Sequence, residues 1–189
     1  MKICVFCSSS DAVDGAYVEA ATDLGTLIGS AGHTLVYGGG RVGLMGATAR
    51  AVQRAGGRVV GIIPTFMNRP GVPYLECDEL QFTADMRERK SRMITLSDAF
   101  IALPGGFGTL EEMSEVITQK QFDFVTAPLV AVNTLGFYDP LAAFFEAFYA
   151  RRFAKPDFRA TCPFVDSPRA AMAYVTTYTP PASTSKWFT

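Results

Sequence analysis

The chain has 189 residues, of which 49% are hydrophobic and 19% are charged, and its formal net charge is −1. This length and composition suit one globular domain and exclude a disordered, charge-rich chain. The balance of 17 basic and 18 acidic residues gives no general electrostatic case for binding nucleic acid or a membrane surface. His33 is the only histidine, which excludes HExxH and multi-histidine metal sites, so we expect no metal.

The four cysteines indicate packed thiols rather than a redox or zinc site. Cys4 and Cys7 have CxxC spacing, but they lie inside the apolar run 3–7, which is typical of a strand. No second CxxC follows in the sequence to complete a zinc site. The first apolar run is too short for a signal peptide, and no run reaches the roughly 20 residues that span a bilayer. We therefore expect a cytoplasmic protein without a membrane partner.

Short apolar runs alternate along the chain with segments of helical periodicity. The predicted strands are residues 3–7, 34–37, 59–63, 99–103, 129–132 and 162–165, and the predicted helices are residues 15–31, 44–55, 86–97, 110–121, 140–151 and 168–177. Continuous apolar runs are typical of strands buried on both faces, and strand–helix alternation indicates a parallel sheet with right-handed crossovers. We predict a doubly wound α/β fold with helices on both faces, one domain over residues 1–178 and an extended tail over 179–189.

The first glycine-rich loop follows the second predicted strand and reads GGGRVGLMG over residues 38–46. Open α/β sheets bind ligands at the carboxyl ends of their strands, and glycines let backbone N–H groups approach a phosphate. The loop contains GxGxxG, but residues 58–64 lack the acid that an NAD-binding fold needs for the ribose. It therefore predicts either a close ligand, with Gly39 and Gly40 as candidate contacts, or a turn for tight helix–sheet packing.

The second glycine-rich loop follows the strand predicted over 99–103 and reads PGGFGTLEE over residues 104–112. Its glycines lead into a helix that we expect to begin near Thr109, and free N–H groups at a helix start form an anion site. The loop lacks the GK[ST] of a P-loop, so ATP hydrolysis is not indicated. The alternative is a capping box between Thr109 and Glu112, which needs no ligand.

Four cations stand within six residues at the start of the helix predicted over 86–97, where the helix dipole disfavours them. Helical periodicity places Arg89 and Lys90 within its apolar, inward face, so each needs an anionic partner or an anionic ligand. A solvated charge run is the alternative, and it suits Arg87 and Arg92 better because they fall outside that face.

The helix predicted over 110–121 has one carboxylate near its apolar face. The same periodicity points Leu110 and Met113 inward, Glu111 outward, and Glu112 to the edge of the apolar face beside the glycine loop. A half-buried carboxylate near a ligand can act as a general base or stabilise a cation. With an arginine and a phosphate site nearby, this pattern favours chemistry on a phosphorylated sugar through an oxocarbenium-like transition state.

Together these motifs resemble the LOG ("Lonely guy") family of cytokinin riboside 5′-monophosphate phosphoribohydrolases, which are often labelled lysine decarboxylases. The resemblance rests on residues 37–46, on Met86-x-x-Arg89-Lys90 and on residues 104–112, and it covers about residues 2–166. It implies a Rossmann-like fold, a homodimer or larger homo-oligomer and no cofactor. The implied reaction hydrolyses the N-glycosidic bond of an N6-modified adenosine 5′-monophosphate to the free base and ribose 5-phosphate.

By motif position, the resemblance implies that Arg89 and Glu112 are catalytic. The resemblance and the loop patterns together assign substrate or phosphate binding to Ser8, Ser9, Gly39, Gly40, Met86, Lys90, Gly105, Gly106, Gly108, Thr109 and Thr118. For Ser8 and Ser9 the alternative is an ordinary loop that caps the helix beginning near Gly15.

One departure from the family pattern concerns the base. Many members carry an acidic residue in the loop after the third strand, but residues 66–74 contain none, so unmodified AMP stands beside N6-modified AMP as a candidate substrate. A carrier of nucleotide or molybdenum cofactor with the same fold is the main alternative function. A nucleic-acid protein is disfavoured by the near-neutral charge, and a pyridoxal phosphate decarboxylase by the better explanation of Lys90 as an anion contact.

Overall fold

The computed structural model describes residues 1–181 and 186–187 and contains one seven-stranded sheet whose neighbouring strands are all parallel. Strands β1 to β7 are Lys2–Phe6, Thr34–Tyr37, Arg58–Pro64, Glu79–Thr83, Ala99–Ala102, Leu129–Val132 and Phe164–Val165. Helices α1 to α6 are Gly15–Ser30, Gly43–Arg54, Met86–Thr95, Phe107–Lys120, Asp139–Ala150 and Pro168–Thr177. The strand order β4-β3-β2-β1-β5-β6-β7 confirms the predicted doubly wound α/β fold.

The central strands separate two apolar cores. In β1, Ile3 and Val5 face one core while Cys4 and Phe6 face the other, because successive side chains of a strand point to opposite faces. Helices α1, α2 and α6 complete the first core, and α3 and α4 contribute to the second. A strand covered on both faces requires apolar residues at every position, which explains the continuous apolar runs in the sequence.

The cysteines are free and mostly buried, as the sequence predicts. Cys4, Cys7 and Cys162 are buried, and Cys77 is half-buried. Burial raises the pKa of the Cys7 thiol, since the surrounding core disfavours a thiolate. The CxxC pair is therefore part of the packing of β1 and not a reactive dithiol.

Strand β4 is absent from the sequence prediction, and its position explains why. It lies at the edge of the sheet and pairs only with β3, so four of its five residues are partly or fully exposed. Glu79 and Gln81 interrupt any apolar run, and Glu79 forms an exposed ion pair with Arg58 of β3. A second difference is β7, predicted over 162–165, which is a two-residue edge strand. Edge strands need fewer apolar residues and leave a weaker pattern.

The winding of the sheet reverses at β1, which lies between β2 and β5. The loop after β1 and the turn after β5 meet there, where the Ser8 N–H donates to the Pro104 carbonyl at 3.2 Å. In open α/β sheets this is the place where ligands bind, outside the carboxyl ends of the strands.

The predicted tail, residues 179–189, is described only in part. Residues 179–181 form no regular element, and residues 182–185 and 188–189 lie outside the described part of the chain. The Lys186 ammonium lies 3.8 Å from the centre of the Phe122 ring, and Trp187 is 67% exposed. Within the described residues, no helix has the length and apolar character to cross a membrane.

Candidate active site

A cavity of about 430 Å³ opens at the carboxyl edge of the sheet, at the point where the winding reverses. It is lined by Cys7, Ser8, Ser9 and Ser10 after β1, Met45 of α2, Met67 after β3, Met86 and Arg89 of α3, and Gly106, Phe107, Gly108, Thr109 and Glu112 at the start of α4. The fold therefore brings together most of the site residues predicted from three distant segments of the sequence.

A buried ion pair forms one wall of this cavity. The Nη1 of Arg89 donates to Oε1 of Glu112 at 2.9 Å, and its Nε donates to the Ile62 carbonyl of β3 at 3.1 Å. Arg89 is 5% exposed and Glu112 is 4% exposed, so each charge depends on the other for compensation. Asp85 caps α3 by accepting from the Glu88 N–H, which fixes where the helix begins and directs Arg89 inward as predicted.

Burial and pairing act in opposite directions on the Glu112 carboxyl. Loss of solvent raises its pKa above the ordinary value, and the Arg89 guanidinium partly opposes that rise. A carboxylate held in this way is more basic than one at the surface. It also lies beside the glycine turn, where it can interact with positive charge that develops on a bound sugar.

The glycine turn after β5 leads directly into α4. The helix begins at Phe107 with Gly106 as its N-cap, and no side chain caps it, so its first N–H groups remain available to an anion. Thr109 is buried inside the first turn, where a Cβ on Gly105 would lie 2.1 Å from its hydroxyl oxygen. The alternative capping box is wrong, because Thr109 lies inside the helix and Glu112 bonds to Arg89.

In the first glycine loop, Gly39 and Gly40 do not line the cavity, contrary to expectation. The Gly39 carbonyl accepts from the Tyr74 N–H at 2.8 Å, and Gly40 forms an isolated antiparallel bridge with Pro73. The segment that follows β3 therefore occupies the Gly39 carbonyl, and neither glycine contributes to the lining of the cavity. Local sequence could not reveal this, since the partner segment lies more than thirty residues further along the chain.

The loop after β1 borders the cavity as predicted. Ser8 and Ser9 line it, and the Ser8 carbonyl accepts from the Met45 N–H at 3.2 Å, which joins this loop to α2. Their alternative role as a helix cap is wrong, because Asp14 caps α1 by accepting from the Ala16 N–H. The two serines are thus held near the glycine turn by contacts with neighbouring loops.

Lys90 and Thr118 lie outside the cavity. Lys90 does point inward, but its Nζ lies 2.6 Å from Glu111 and 2.9 Å from Glu115, and these hydrogen bonds raise its pKa. Its anionic partners therefore belong to α4 and not to a ligand. Thr118 donates to the Ser114 carbonyl and lines a separate cavity of about 400 Å³ between α4 and α5. Neither residue therefore lines the cavity that contains Arg89 and Glu112.

Several lining residues were not predicted from the sequence. Met45 and Phe107 belong to the two glycine motifs, and Phe107 is 92% exposed at the cavity mouth. Met45 precedes Gly46 and Phe107 follows Gly106, so their position in the motifs is the signal that could have identified them. Met67 lies in a short turn after β3, and no local pattern marks it. These side chains add apolar surface to the lining of a cavity that also contains the charged pair.

The described residues include no group of three or more His, Cys, Asp or Glu side chains placed to hold a metal ion. Among the residues that line the cavity, Glu112 is the single carboxylate and Arg89 the single cation. The site thus offers one acid–base group, one guanidinium and a set of backbone N–H groups.

Known proteins resemble this chain over most of its length. A family model described as "Possible lysine decarboxylase" matches residues 45–175. The chain is 44% identical over 158 residues to the probable cytokinin riboside 5′-monophosphate phosphoribohydrolase LOGL1 of Oryza sativa subsp. japonica, covering 84% of this chain and 71% of the relative. It is 43% identical over 158 residues to the cytokinin riboside 5′-monophosphate phosphoribohydrolase LOG3 of Arabidopsis thaliana, covering 84% of this chain and 74% of the relative.

Solved structures with the same fold are more distant in sequence. The molybdenum cofactor binding protein from Rippkaea orientalis has a TM-score of 0.71 at 20% identity, covering 93% of this chain and 95% of that chain. The molybdenum cofactor carrier protein MCP from Chlamydomonas reinhardtii has a TM-score of 0.70 at 20% identity with the same coverage. At these identities the likeness shows the Rossmann-like fold alone, because one fold supports many functions.

Proposed function

This chain belongs to the LOG family of phosphoribohydrolases, and we propose that it hydrolyses the N-glycosidic bond of N6-modified adenosine 5′-monophosphate or of AMP itself. The products are the free base and ribose 5-phosphate. The observation that carries the proposal is the buried Arg89–Glu112 pair in a cavity that also contains an uncapped helix start.

The 5′-phosphate binds at the turn that opens α4. Gly105, Gly106 and Gly108 let a phosphate approach the backbone, and the Thr109 hydroxyl lies within the same turn. The positive end of the fourteen-residue helix α4 favours an anion at this position. With the phosphate fixed there, the ribose lies toward Glu112, which is one turn further along α4, and toward Arg89 of the neighbouring helix α3.

Glu112 acts on the sugar carbon that loses the base. Its carboxylate stabilises the oxocarbenium-like transition state or orients the attacking water, whose proton it can accept because burial raises its pKa. Arg89 positions the carboxylate by the bond from Nη1 and contacts the ribose. The bond from the base nitrogen to C1′ breaks, water supplies the new hydroxyl at C1′, and the base leaves with a proton.

The base lies in the apolar part of the cavity. Met67, Met86 and Phe107 supply that surface, which accepts an adenine ring with or without an apolar N6 substituent. Residues 66–74 contain no acidic side chain to select a polar substituent, which supports AMP as a second substrate.

The family description as a lysine decarboxylase does not fit these residues. A pyridoxal phosphate decarboxylase needs a lysine for its Schiff base, and no lysine lines the cavity. Lys90 is the candidate in the sequence motif, but Glu111 and Glu115 of α4 hold its amine, and it does not line the cavity.

We further propose that the chain assembles into a homodimer or larger homo-oligomer through α4 and α5. None of the residues of α5 is buried, and Phe144 is 57% exposed. Phe153, after α5, is 81% exposed, and Leu110 of α4 is 38% exposed although periodicity predicts it inward. Large apolar side chains that are exposed together on neighbouring elements are typical of an interaction site in a folded protein.

We also propose that the protein is cytoplasmic, and the state of its thiols supports this location. Its four cysteines are free, and the half-buried Cys77 has no disulfide partner among them. Free thiols are typical of a reducing compartment.

Product analysis tests the proposed reaction. The purified chain is incubated with AMP and with N6-isopentenyladenosine 5′-monophosphate, and free base and ribose 5-phosphate are measured by chromatography. We expect equimolar amounts of the two products, and the rate ratio gives the preference for the substituent. A protein that binds either nucleotide tightly and returns it intact is a carrier, and that result contradicts the proposal.

A further inference from the structure

Gly38 is the first residue after β2, and another residue occupies the space that a side chain at this position would take. A Cβ at this position would lie 1.8 Å from Nη2 of Arg89 and 3.0 Å from its Cζ, with Met45 Cε next at 3.1 Å. A distance of 1.8 Å is impossible between non-bonded heavy atoms, which are ordinarily separated by about 3.4 Å or more. The guanidinium therefore occupies the volume that any side chain at position 38 would take.

Neither backbone conformation nor helix packing explains the glycine at this position. Gly39 has a φ of 74° and favours glycine for that reason, whereas Gly38 is not among the residues with positive φ. A packing glycine such as Gly25 in α1 is close to main chain, with a Cβ position 2.5 Å from the Thr48 carbonyl oxygen. At Gly38 the nearest atoms all belong to the ends of two long side chains.

The contact with Gly38 completes a three-sided enclosure of the Arg89 guanidinium. Ile62 of β3 accepts from Nε, Glu112 of α4 accepts from Nη1, and Gly38 after β2 lies against Nη2. Within the described residues, Nη2 makes no hydrogen bond to the protein, so packing alone fixes that side of the group. Because the guanidinium is planar, the contact at Nη2 also sets the direction in which Nη1 points at Glu112.

We propose that Gly38 is a positioning residue for the reaction, because it leaves the space that holds the Arg89 guanidinium against Glu112. The inference deepens the proposed function and rests on it. It also gives the first glycine loop a role in the reaction that does not require the loop to bind phosphate. Gly38 does not line the cavity, so it acts on the substrate only through Arg89.

The predicted consequence of Gly38→Ala follows from the distances. To reach ordinary contact with the new Cβ, Nη2 must move by about 1.6 Å. The guanidinium is rigid, so Nη1 moves together with Nη2 and its 2.9 Å bond to Oε1 of Glu112 is lost. A donor–acceptor distance of about 3.6 Å is already too long for a hydrogen bond. A 1 Å misplacement can cost about 100-fold in rate, so we expect kcat to fall about 100-fold while KM changes less than about threefold.

The first measurement compares kcat and KM of wild type, Gly38→Ala and Gly15→Ala. Gly15 is the matched control, because a Cβ there meets nothing within 4 Å, and we expect wild-type kinetics from it. A folded Gly38→Ala protein with kcat within about threefold of wild type overturns the inference. A larger KM with unchanged kcat also overturns it, since that result indicates a binding role.

The second measurement does not depend on activity. Thermal unfolding compares the effect of Gly38→Ala in wild type with its effect in the double variant Arg89→Ala/Glu112→Gln, which has neither the guanidinium nor an orphaned charge. We expect Gly38→Ala to lower Tm by more than about 3 °C in wild type and by less than about 1 °C in the double variant. Equal losses in both backgrounds contradict the inference, because the clash is then not with Arg89.

The two measurements separate the possible failures. If wild type releases no base, the proposed function is wrong, and the Tm comparison still tests whether Gly38 holds Arg89. If Gly38→Ala alone does not fold but the triple variant does, the guanidinium is the obstacle and the inference stands. Failure of both to fold places the obstacle elsewhere and overturns it.

Discussion

Replacing Arg89 by methionine keeps most of the side-chain volume and removes the partner of the buried Glu112 carboxylate. Arg89 is 5% exposed, Glu112 is 4% exposed and their bond is 2.9 Å long, so little solvent can compensate the remaining charge. Removing one partner of such a pair costs about 3–5 kcal/mol of stability when the other charge stays buried. The Glu112 carboxyl can take up a proton instead, and this makes the cost depend on pH.

The direction of that dependence follows from the pKa of Glu112. Burial already raises it above 4.5, and loss of the guanidinium raises it further. A group that binds its proton more tightly when folded contributes stability below its unfolded pKa and loses that contribution as the pH rises through its folded pKa. We therefore expect Arg89→Met to cost about 1 kcal/mol at pH 5 and about 3 kcal/mol at pH 8.

Urea unfolding of wild type, Arg89→Met and Arg89→Met/Glu112→Gln at pH 5 and pH 8 tests this expectation. The double variant has no carboxyl to titrate at this position, so it should lack the extra loss of stability at pH 8 that Arg89→Met shows. Two results would show that Arg89 does not compensate a buried Glu112 charge. One is an Arg89→Met protein as stable as wild type at pH 8, and the other is the same pH trend in the single and double variants.

Three further predictions concern residues outside the cavity. Lys90→Met removes ion pairs to α4 and should lower the free energy of unfolding by about 1 kcal/mol, with KM for AMP changed less than about threefold; a tenfold rise in KM would show that Lys90 contacts the nucleotide. Burial lowers the pKa of Lys120 from 10.5 to about 8, so the folded state releases this proton first and the free energy of unfolding should rise between those pH values. Urea midpoints of Lys120→Met should lack that rise, and an identical profile would contradict the prediction. Phe144→Glu/Phe153→Glu places charge on the exposed apolar surface and should shift the sedimenting species from oligomer to monomer, whereas a monomeric wild type would rule out the interface.

The buried strands and the direction of Arg89 were predictable because both depend on local periodicity. Each strand of the sheet centre is covered on both faces, so its apolar run has no polar interruption. Arg89 falls on the same side of α3 as Met93, and a charge on an inward face requires a partner wherever the helix packs. The resemblance implied that Arg89 and Glu112 are both catalytic, and the structure shows that each is the partner of the other.

The remaining features depend on contacts between distant segments. Lys90 satisfies the same periodicity as Arg89, but its partners Glu111 and Glu115 lie on another helix, and a helical wheel cannot distinguish a carboxylate from a bound phosphate. Leu110 is apolar and falls on the predicted inward face of α4, yet it is 38% exposed to solvent. GxGxxG likewise does not show whether its glycines approach a ligand or, as at Gly38, another side chain.

The substitution Glu112→Gln shows whether the pair of Arg89 and Glu112 performs the hydrolysis. Single-turnover release of base from AMP is measured together with the Kd for AMP, in wild type and in the variant. We expect the variant to release base at least about 100-fold more slowly, with a Kd within about threefold of wild type. The amide fills the same space but cannot accept a proton or carry negative charge. Release of base at the wild-type rate by a folded Glu112→Gln protein would contradict this role of the pair.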